Sequence, residues 1–449
     1  MDTESAILSA LKVGADVGKK KGNGTMKVLT KIKGQQIFKD SFWALLGSVV
    51  GKGLSLLGGI IVARLLTKEI YGEYGIIKNT LYYIAIFSTF GLGFTATRFI
   101  ARYVNSAKEK VYSIVRITRY ITFFTSGFIA LLLLIFSKSI ATFLDAPHLF
   151  QPLRIAAVAI IFNAIDAAQV GLMAGFGAFK ESARNTVISG VANFITSLIL
   201  TYFYGLIGSI VALVLSFAIS CVLNRITINR LLQSYPHIKV DEVETFKQLI
   251  SFSLPIALQE GLYSLTHWGN VVIFVKLAGY GELALSSAAS QWQAIILFIP
   301  GVLRNVTLAH LSRNVHSASS HNNTVSTMLK INFGASFIPF IVIVFLSNFI
   351  SSFYGESFGG LSVVLVLSVA IAIPNCLSNV YSQELISRAD NWFLFWIRLS
   401  KDLLTLIIVS LLLYRFELPG AITLCLVTLI IQTLYLVLLH VHYKKGYYA

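Results

Sequence analysis

The chain has 449 residues, 56% of them hydrophobic and only 12% charged. A soluble domain averages about 25% charged residues, so a soluble catalytic domain is excluded by composition. The net charge of +16 would suit a nucleic-acid partner, but the basic residues are distributed in a way that argues against one.

Long apolar runs recur along the chain. In hydrocarbon only helices and closed barrels satisfy every backbone group, and runs of about twenty residues without two-residue alternation select helices. Residues 1–39 hold eight Lys and no span. They also lack an apolar stretch followed by a cleavage site, so they read as a basic cytoplasmic tail rather than a signal peptide, with Met26 an alternative start. Twelve transmembrane helices are predicted, at 41–63, 76–97, 117–136, 153–175, 186–204 and 206–224, then 250–275, 284–303, 330–350, 361–382, 393–414 and 418–440. The polar interruption from Arg225 to Gln248, with Pro236 and the acids Asp241, Glu242 and Glu244, divides six from six. The expected plan is an all-α membrane protein: a tail (1–39), a six-helix lobe (40–224), a solvated cytoplasmic linker (225–248), a second six-helix lobe (249–440) and a short cytoplasmic tail (441–449).

Of the 36 Lys and Arg residues, 26 fall at the N-terminus, the C-terminus and the loops on their side, and 6 on the opposite side. The remaining four, Lys52, Lys78, Arg398 and Lys401, lie inside predicted spans. The positive-inside rule then places both termini in the cytoplasm. The basic balance is topology, with anionic-lipid contact in addition. Cys221, Cys376 and Cys425 sit in apolar spans without metal-ligand spacing and read as small core hydrophobes.

The two halves look alike when the second is slid back by about 210 positions. Phe38-Lys39 falls on Phe246-Lys247, Tyr71-Gly72-Glu73 on Tyr280-Gly281-Glu282, and Ser137 to Phe143 on Ser347 to Phe353. Tyr204-Gly205-Leu206-Ile207-Gly208 falls on Phe416-Glu417-Leu418-Pro419-Gly420. With six helices per copy, both copies start on the same side of the membrane. The repeat is therefore parallel, its pseudo-axis along the membrane normal, and a binding site belongs in the cleft between halves.

Several short motifs carry a family resemblance. Ser41-Phe42-Trp43-Ala44-Leu45-Leu46-Gly47 is followed by Ala63-Arg64-Leu65-Leu66 and Tyr71-Gly72-Glu73-Tyr74. Phe90-Gly91-Leu92-Gly93 and Arg98-Phe99-Ile100-Ala101-Arg102-Tyr103 come next, then Gly177-Ala178-Phe179-Lys180 and Gly205-Leu206-Ile207-Gly208. This order resembles the polysaccharide transporter (O-antigen/oligosaccharide flippase) family of the multidrug/oligosaccharidyl-lipid/polysaccharide exporter superfamily, from Ser41 onward. The resemblance implies a two-lobed, twelve-helix flippase of the cytoplasmic membrane. Such a protein turns an undecaprenyl-pyrophosphate-linked sugar unit from the inner to the outer leaflet without a cofactor. It also implies polysaccharide polymerase machinery as a partner. Two related groups differ: the multidrug extruders export compact, often cationic drugs, and the lipid II flippases typically have fourteen helices.

Ionisable groups inside spans cost about 2.5–3.5 kcal/mol each on insertion scales, so each is a functional candidate. Lys52 lies twelve residues into the first helix, too deep to snorkel easily. It is expected to bind the substrate pyrophosphate or to pair with an acid across the cavity. Arg398, Lys401 and Asp402 share one face of helix eleven. An Arg398–Asp402 pair along the helix would leave Lys401 for the pyrophosphate, or Arg398 snorkels to the interface. Lys78, a few residues inside the outer end of helix two, and Arg98 and Arg304, at inner ends of helices two and eight, are expected on the cavity rim as anchors. The deep acids Asp166 and Glu260 are candidates for coupling to H⁺ or Na⁺, or for balancing Lys52 or Lys401. Asn163 and Gln169 flank Asp166 in a polar stripe, and His267 and Asn270 continue one from Glu260.

His310, His316 and His321 fall in a Ser/Asn-rich segment and read as a solvated loop. No P-loop, zinc-ligand spacing, catalytic triad or dinucleotide fingerprint occurs. The best reading is thus a lipid-linked oligosaccharide flippase working by alternating access. The rivals are a proton- or sodium-coupled multidrug antiporter, which deep cations disfavour, and a membrane-embedded glycosyltransferase or polymerase. Enzymes of that last kind usually carry a large outer loop, which this chain lacks.

Overall fold

The computed structural model describes residues 49–51, 53–236, 242–298, 300–301, 318–388, 390–416 and 418–448. Among them the chain is helical, and turns of a few residues join the helices. In order they are α1 (53–65), α2 (Lys68–Thr89), α3 (Leu92–Ser106), α4 (Lys108–Phe143), α5 (Phe150–Gly175) and α6 (Phe179–Leu232). They continue as α7 (Glu242–Ala278), α8 (Tyr280–Ile296), α9 (Ala318–Ser352), α10 (Leu361–Ser387), α11 (Asn391–Phe416) and α12 (Gly420–Tyr448). Short 3-10 turns at Pro147–Leu149 and Glu356–Phe358 lead into α5 and α10.

Two local features turn these segments into twelve crossings. α6 is 54 residues long, too long for one crossing, and is folded back at Gly205, whose φ of 55° and ψ of −131° are non-helical. A side chain there would be strained, so glycine makes the hairpin that the sequence places between its fifth and sixth spans. Conversely, α2 and α3 form one crossing. They are separated by Phe90 and Gly91, both left-handed at φ of 49° and 65°, and this break redirects α3 onto α5. Six of the described helices are long and apolar enough to cross a membrane on length and composition alone, α6 among them. The other crossings carry the polar groups described below.

Helices α1–α6 form one lobe and α7–α12 the other. The repeat is visible in the element bounds. Gly175 and Ser387 end α5 and α10, Phe179 and Asn391 begin α6 and α11, and each pair is 212 residues apart. The 3-10 turns before α5 and α10 are related in the same way. Large buried side chains cluster at the end of the bundle that holds the turns at 66–67, 144–149 and 353–360. Tyr71, Leu144, Leu149, Tyr354 and Phe358 are all essentially inaccessible there. We call this the distal end, and the end with the inter-lobe linker and the C-terminus the proximal end.

The lobes meet along α2 and α3 of one and α7 and α8 of the other. At the distal end the repeat-related motifs pack directly on each other: a Cβ at Gly72 would collide with the Tyr280 carbonyl. Tyr71 accepts a hydrogen bond from Gln291 Nε2 at 2.5 Å and meets Phe358 edge-on at 5.6 Å. The Tyr280 hydroxyl donates to the Leu144 carbonyl at 2.9 Å, and Lys276 pairs with Asp145 at 3.3 Å. Further along, Trp268 Nε1 donates to Thr80 at 3.1 Å. The hydroxyls of Thr95 and Ser253 lie 2.7 Å apart.

The helices begin and end beyond several of the predicted spans. α6 runs to Leu232 and α7 starts at Glu242, so most of the expected solvated linker is helical. α2 starts at Lys68 rather than at 76, which puts Lys78 midway along it.

Because Gly72 sits against a carbonyl that cannot yield, Gly72→Val is expected to lower the stability of the detergent-solubilised protein by about 1–3 kcal/mol. Gly127→Val, where a Cβ meets nothing within 4 Å, should change it by less than about 0.5 kcal/mol. Thermal unfolding of the two variants side by side checks this.

Candidate functional site: paired polar clusters inside the lobes

Each lobe holds a polar cluster within its helical core. In the N-terminal lobe, Asp166 of α5 accepts hydrogen bonds from Ser220 Oγ at 2.5 Å and Asn224 Nδ2 at 2.9 Å, both from the second half of α6. Asn185, from the first half of α6, donates to Asn224 Oδ1 at 2.9 Å and to Thr227 at 3.1 Å. The cluster thus ties three crossings together, and the Asp166 carboxylate is held by neutral donors alone.

In the C-terminal lobe, Lys401 of α11 bonds Gln432 Oε1 of α12 at 3.2 Å and pairs with Asp402 at 3.1 Å. Gln432 in turn donates to Ser378 Oγ of α10 at 3.3 Å. The ammonium lies 5.4 Å from the Tyr435 ring centre. The buried Tyr435 hydroxyl finds no hydrogen-bond partner among the described residues.

The clusters occupy repeat-equivalent positions. Asp166 and Ser378, Ser220 and Gln432, and Ser189 and Lys401 are each separated by 212 residues, the same separation as the helix bounds. One ancestral polar position has therefore become a carboxylate in one lobe and a cation site in the other. A charge in low dielectric must be paired or hydrogen-bonded to persist, and each lobe meets that demand internally.

The expected site residues fare differently. Lys401 does not stay free while Arg398 takes Asp402: the adjacent Lys401 takes it. Arg398, one turn nearer the proximal end, forms no ion pair among the described residues. Lys78 is not near a helix end. It lies between the rings of Tyr74 and Tyr82, at 5.7 and 6.0 Å from their centres, where the ring faces stabilise its charge. Arg98 is exposed and stacks 4.3 Å from the centre of Phe252 on α7, across the lobe interface. Asp166 is committed to α6 of its own lobe. Lys52, Arg304 and the side chain of Glu260 lie outside the described residues. His267 faces the Tyr83 ring at 6.0 Å.

His321 is not solvated. It is 2% exposed in α9, with Nε2 3.4 Å from the 1%-exposed Glu384 of α10, and Glu384 also pairs with Arg388. His310 and His316 lie outside the described residues. No group of three or more His, Cys, Asp or Glu positioned to hold a metal occurs among the described residues. The three cysteines are buried and unpaired, as small core residues would be.

Sequence reasoning missed Ser220, Asn224, Asn185 and Gln432 because uncharged polar residues in spans are common. Their signal was the repeat itself, since projecting Asp166 and Lys401 through it lands on polar partners.

Twelve crossings in two parallel lobes, each with a polar core, define a transporter of the two-lobe exporter class. Residues 37–303 match the family described as polysaccharide biosynthesis protein. That is more than half of the chain, and the chain belongs to this family. It is similar to the EPS I polysaccharide export inner membrane protein EpsE of Ralstonia nicotianae (strain ATCC BAA-1114 / GMI1000), at 24% identity over 355 residues, covering 78% of this chain and 80% of that protein. Among solved structures, a multidrug resistance MATE family transporter of the MOP superfamily in an inward-facing conformation gives a TM-score of 0.70 at 13% identity, covering 90% of this chain and 98% of that one. The outward-facing conformation of such a transporter gives 0.62 at 14% identity, with coverage of 92% and 95%. A MOP superfamily transporter from Pyrococcus furiosus Vc1 (DSM3638) gives 0.63 at 13%, with coverage of 92% and 96%. At these identities the likeness is one of fold.

The pairing geometry makes a prediction. Asp402→Ala should destabilise the protein by about 1–2 kcal/mol, less than for a fully buried pair because both side chains keep some exposure. A double-mutant cycle on thermal unfolding should find coupling between positions 401 and 402 and none between 398 and 402. The reverse pattern would restore the Arg398–Asp402 pair.

Proposed function

We propose that this protein moves an undecaprenyl-pyrophosphate-linked oligosaccharide from the inner to the outer leaflet of the cytoplasmic membrane by alternating access. The observation that carries the reading is the family match over residues 37–303. The geometry supports it, because the lobes are joined at the distal end by contacts small enough to break and re-form. These are a tyrosine–glutamine bond, an aromatic edge and one exposed ion pair. Rocking about the α2–α7 seam would open that end and expose the substrate outward. The lipid tail remains in the bilayer and the protein supplies no bond-making chemistry.

In this reading Lys401 and Lys52 meet the pyrophosphate, with Arg398 nearer the entrance. Arg98, at the lobe seam, lies on the rim with Arg304. Lys78 has a different support, its aromatic flanks. A cation beside phosphate in a dielectric below that of water offsets part of the cost of desolvating the anion. Lys401 changes partner on binding, giving up Asp402 to the substrate, while the unpaired Tyr435 hydroxyl offers a further donor. Glu260 and Asp166 are the candidates for an H⁺ or Na⁺ couple, and polymerase machinery is a candidate partner on the outer face. The second reading, a cation-coupled multidrug antiporter, is favoured by the fold likeness and by Asp166.

Lys401→Met should reduce export in a flippase-deficient host at least tenfold at unchanged membrane abundance, and Lys401→Arg should keep much of it. The same pair of changes at Lys52 should behave alike. If Lys401 serves only to balance Asp402, Lys401→Met will lower abundance and the added Asp402→Asn will restore export. Wild-type export by Lys401→Met would remove this residue from the mechanism.

The orientation has its own test. A membrane-impermeant thiol reagent applied to intact cells should reach a cysteine at Gly355 but not one at Ser106 or Ser319. Labelling at Ser319 from outside would invert the proposed topology.

A further inference from the structure

A cavity of about 730 Å³ opens on the flank of the N-terminal lobe, lined only by α4, α5 and α6. It belongs to neither polar cluster and to no lobe–lobe contact. Its deeper walls are apolar, with Phe123, Phe162 and Val222 among them. Phe123 and Val222 are 56% and 57% exposed, so the cavity is open to the surface that faces lipid. Its mouth is cationic, lined by Arg116, Arg119 and Arg225.

Depth places that mouth at one leaflet boundary. Arg119 is 24 residues from the distal end of α4 at Phe143, and Arg225 is 20 residues from the distal turn at Gly205. At about 1.5 Å per residue these are about 36 and 30 Å, the far side of a hydrocarbon core about 30 Å thick. The apolar walls then lie at acyl-chain depth and the guanidinium groups at headgroup depth.

The three arginines are not equally satisfied. Arg116 pairs with Glu242 at the start of α7. Arg119 donates to the neutral Asn229 at 2.8 Å, and its charge is repelled by that of Arg225. No acidic side chain lies within ion-pair distance of Arg119 or Arg225 among the described residues. The buried Nε atoms of Arg116 and Arg119 lack hydrogen-bond partners. Gln169, only 4% exposed, lines the same cavity with an unpartnered Oε1. Two like charges side by side, a buried donor and a buried acceptor all await a ligand that is anionic and also carries a hydroxyl.

We infer that this groove is a binding site for an anionic phospholipid of the proximal leaflet with a hydroxylated headgroup. Its phosphodiester is held by Arg119 and Arg225, its headgroup hydroxyl donates to Gln169, and one acyl chain lies against Phe123, Phe162 and Val222. Guanidinium groups suit the role, because their planar donor array matches phosphate oxygens. Polyprenyl pyrophosphate shares the chemistry of phosphate on an apolar tail. A cavity on the flank of one lobe, away from the lobe interface, favours a resident phospholipid over a passing substrate.

The test is native mass spectrometry of the full chain taken from phosphatidylcholine nanodiscs containing a minor fraction of phosphatidylglycerol. The wild-type protein should retain one phosphatidylglycerol in preference to phosphatidylcholine. Arg119→Gln/Arg225→Gln should weaken that retention on the order of thirtyfold, and Arg119→Lys/Arg225→Lys should keep most of it. Val222→Trp, which fills the groove and leaves the charge unchanged, should also abolish retention. Lys444→Gln/Lys445→Gln, removing the same charge at the exposed C-terminal end, should not. Equal loss in both neutralised pairs would reduce the effect to general surface charge. Displacement of phosphatidylglycerol by equimolar undecaprenyl pyrophosphate would assign the groove to the substrate. Either result overturns the proposal.

Discussion

The contact on which the architecture turns is the meeting of the two repeat-related motifs at the distal end, Gly72 against the backbone of Tyr280. Only a residue without Cβ allows α2 and α8 to approach so closely. That approach brings Tyr71 to Gln291 and Phe358, and Tyr280 to the Leu144 carbonyl. The partners on both sides are the turns before the repeat-related helices α5 and α10. One close approach thereby joins the four elements that each lobe duplicates. The contact uses side-chain hydrogen bonds and ring edges rather than a continuous apolar seam, so it can serve as a closure that opens without dismantling either lobe.

A second constraint acts inside the lobes. Hydrocarbon penalises unpaired charge, and the helices answer by building two enclosed polar clusters at equivalent positions of the repeat. Their divergence is chemically informative: Asp166 is held by neutral donors, whereas Lys401 is shared between Asp402 and Gln432. A lobe with an acid and a lobe with a cation can respond to different ions while moving as one pair of bodies. That asymmetry suits a transporter whose substrate carries pyrophosphate and whose energy source is an ion gradient.

Most of the fold was legible in the sequence, because periodicity of apolar runs and hydrocarbon's demand on the backbone leave few alternatives. Residues 153–175 and 393–414 were read within a few positions of α5 and α11, and the Gly205 turn was read as the short outer hairpin it is. The errors have a common source. Hydropathy sees only the apolar stretch, so polar helical extensions such as Lys68–Gly75 and Glu242–Leu249 were read as loop. Lys78 was misplaced along its helix for that reason, and His321 was put in solvent. The site was less legible, because a one-dimensional pattern gives depth and face but not partner. Asp402 lies within reach of both Arg398 by helix spacing and Lys401 by adjacency, and only the position of Gln432 on α12 draws the Lys401 amine to that side.

The central claim is translocation of a lipid-linked oligosaccharide, and its most direct measurement is flipping in proteoliposomes. Undecaprenyl-pyrophosphate oligosaccharide confined to the inner leaflet should become accessible to an impermeant external lectin at a rate that rises with the amount of protein and is absent from protein-free vesicles. If the sugar stays protected at the protein-free rate while the same vesicles move a cationic dye against an ion gradient, the account is wrong and the chain is a drug antiporter built on the same fold.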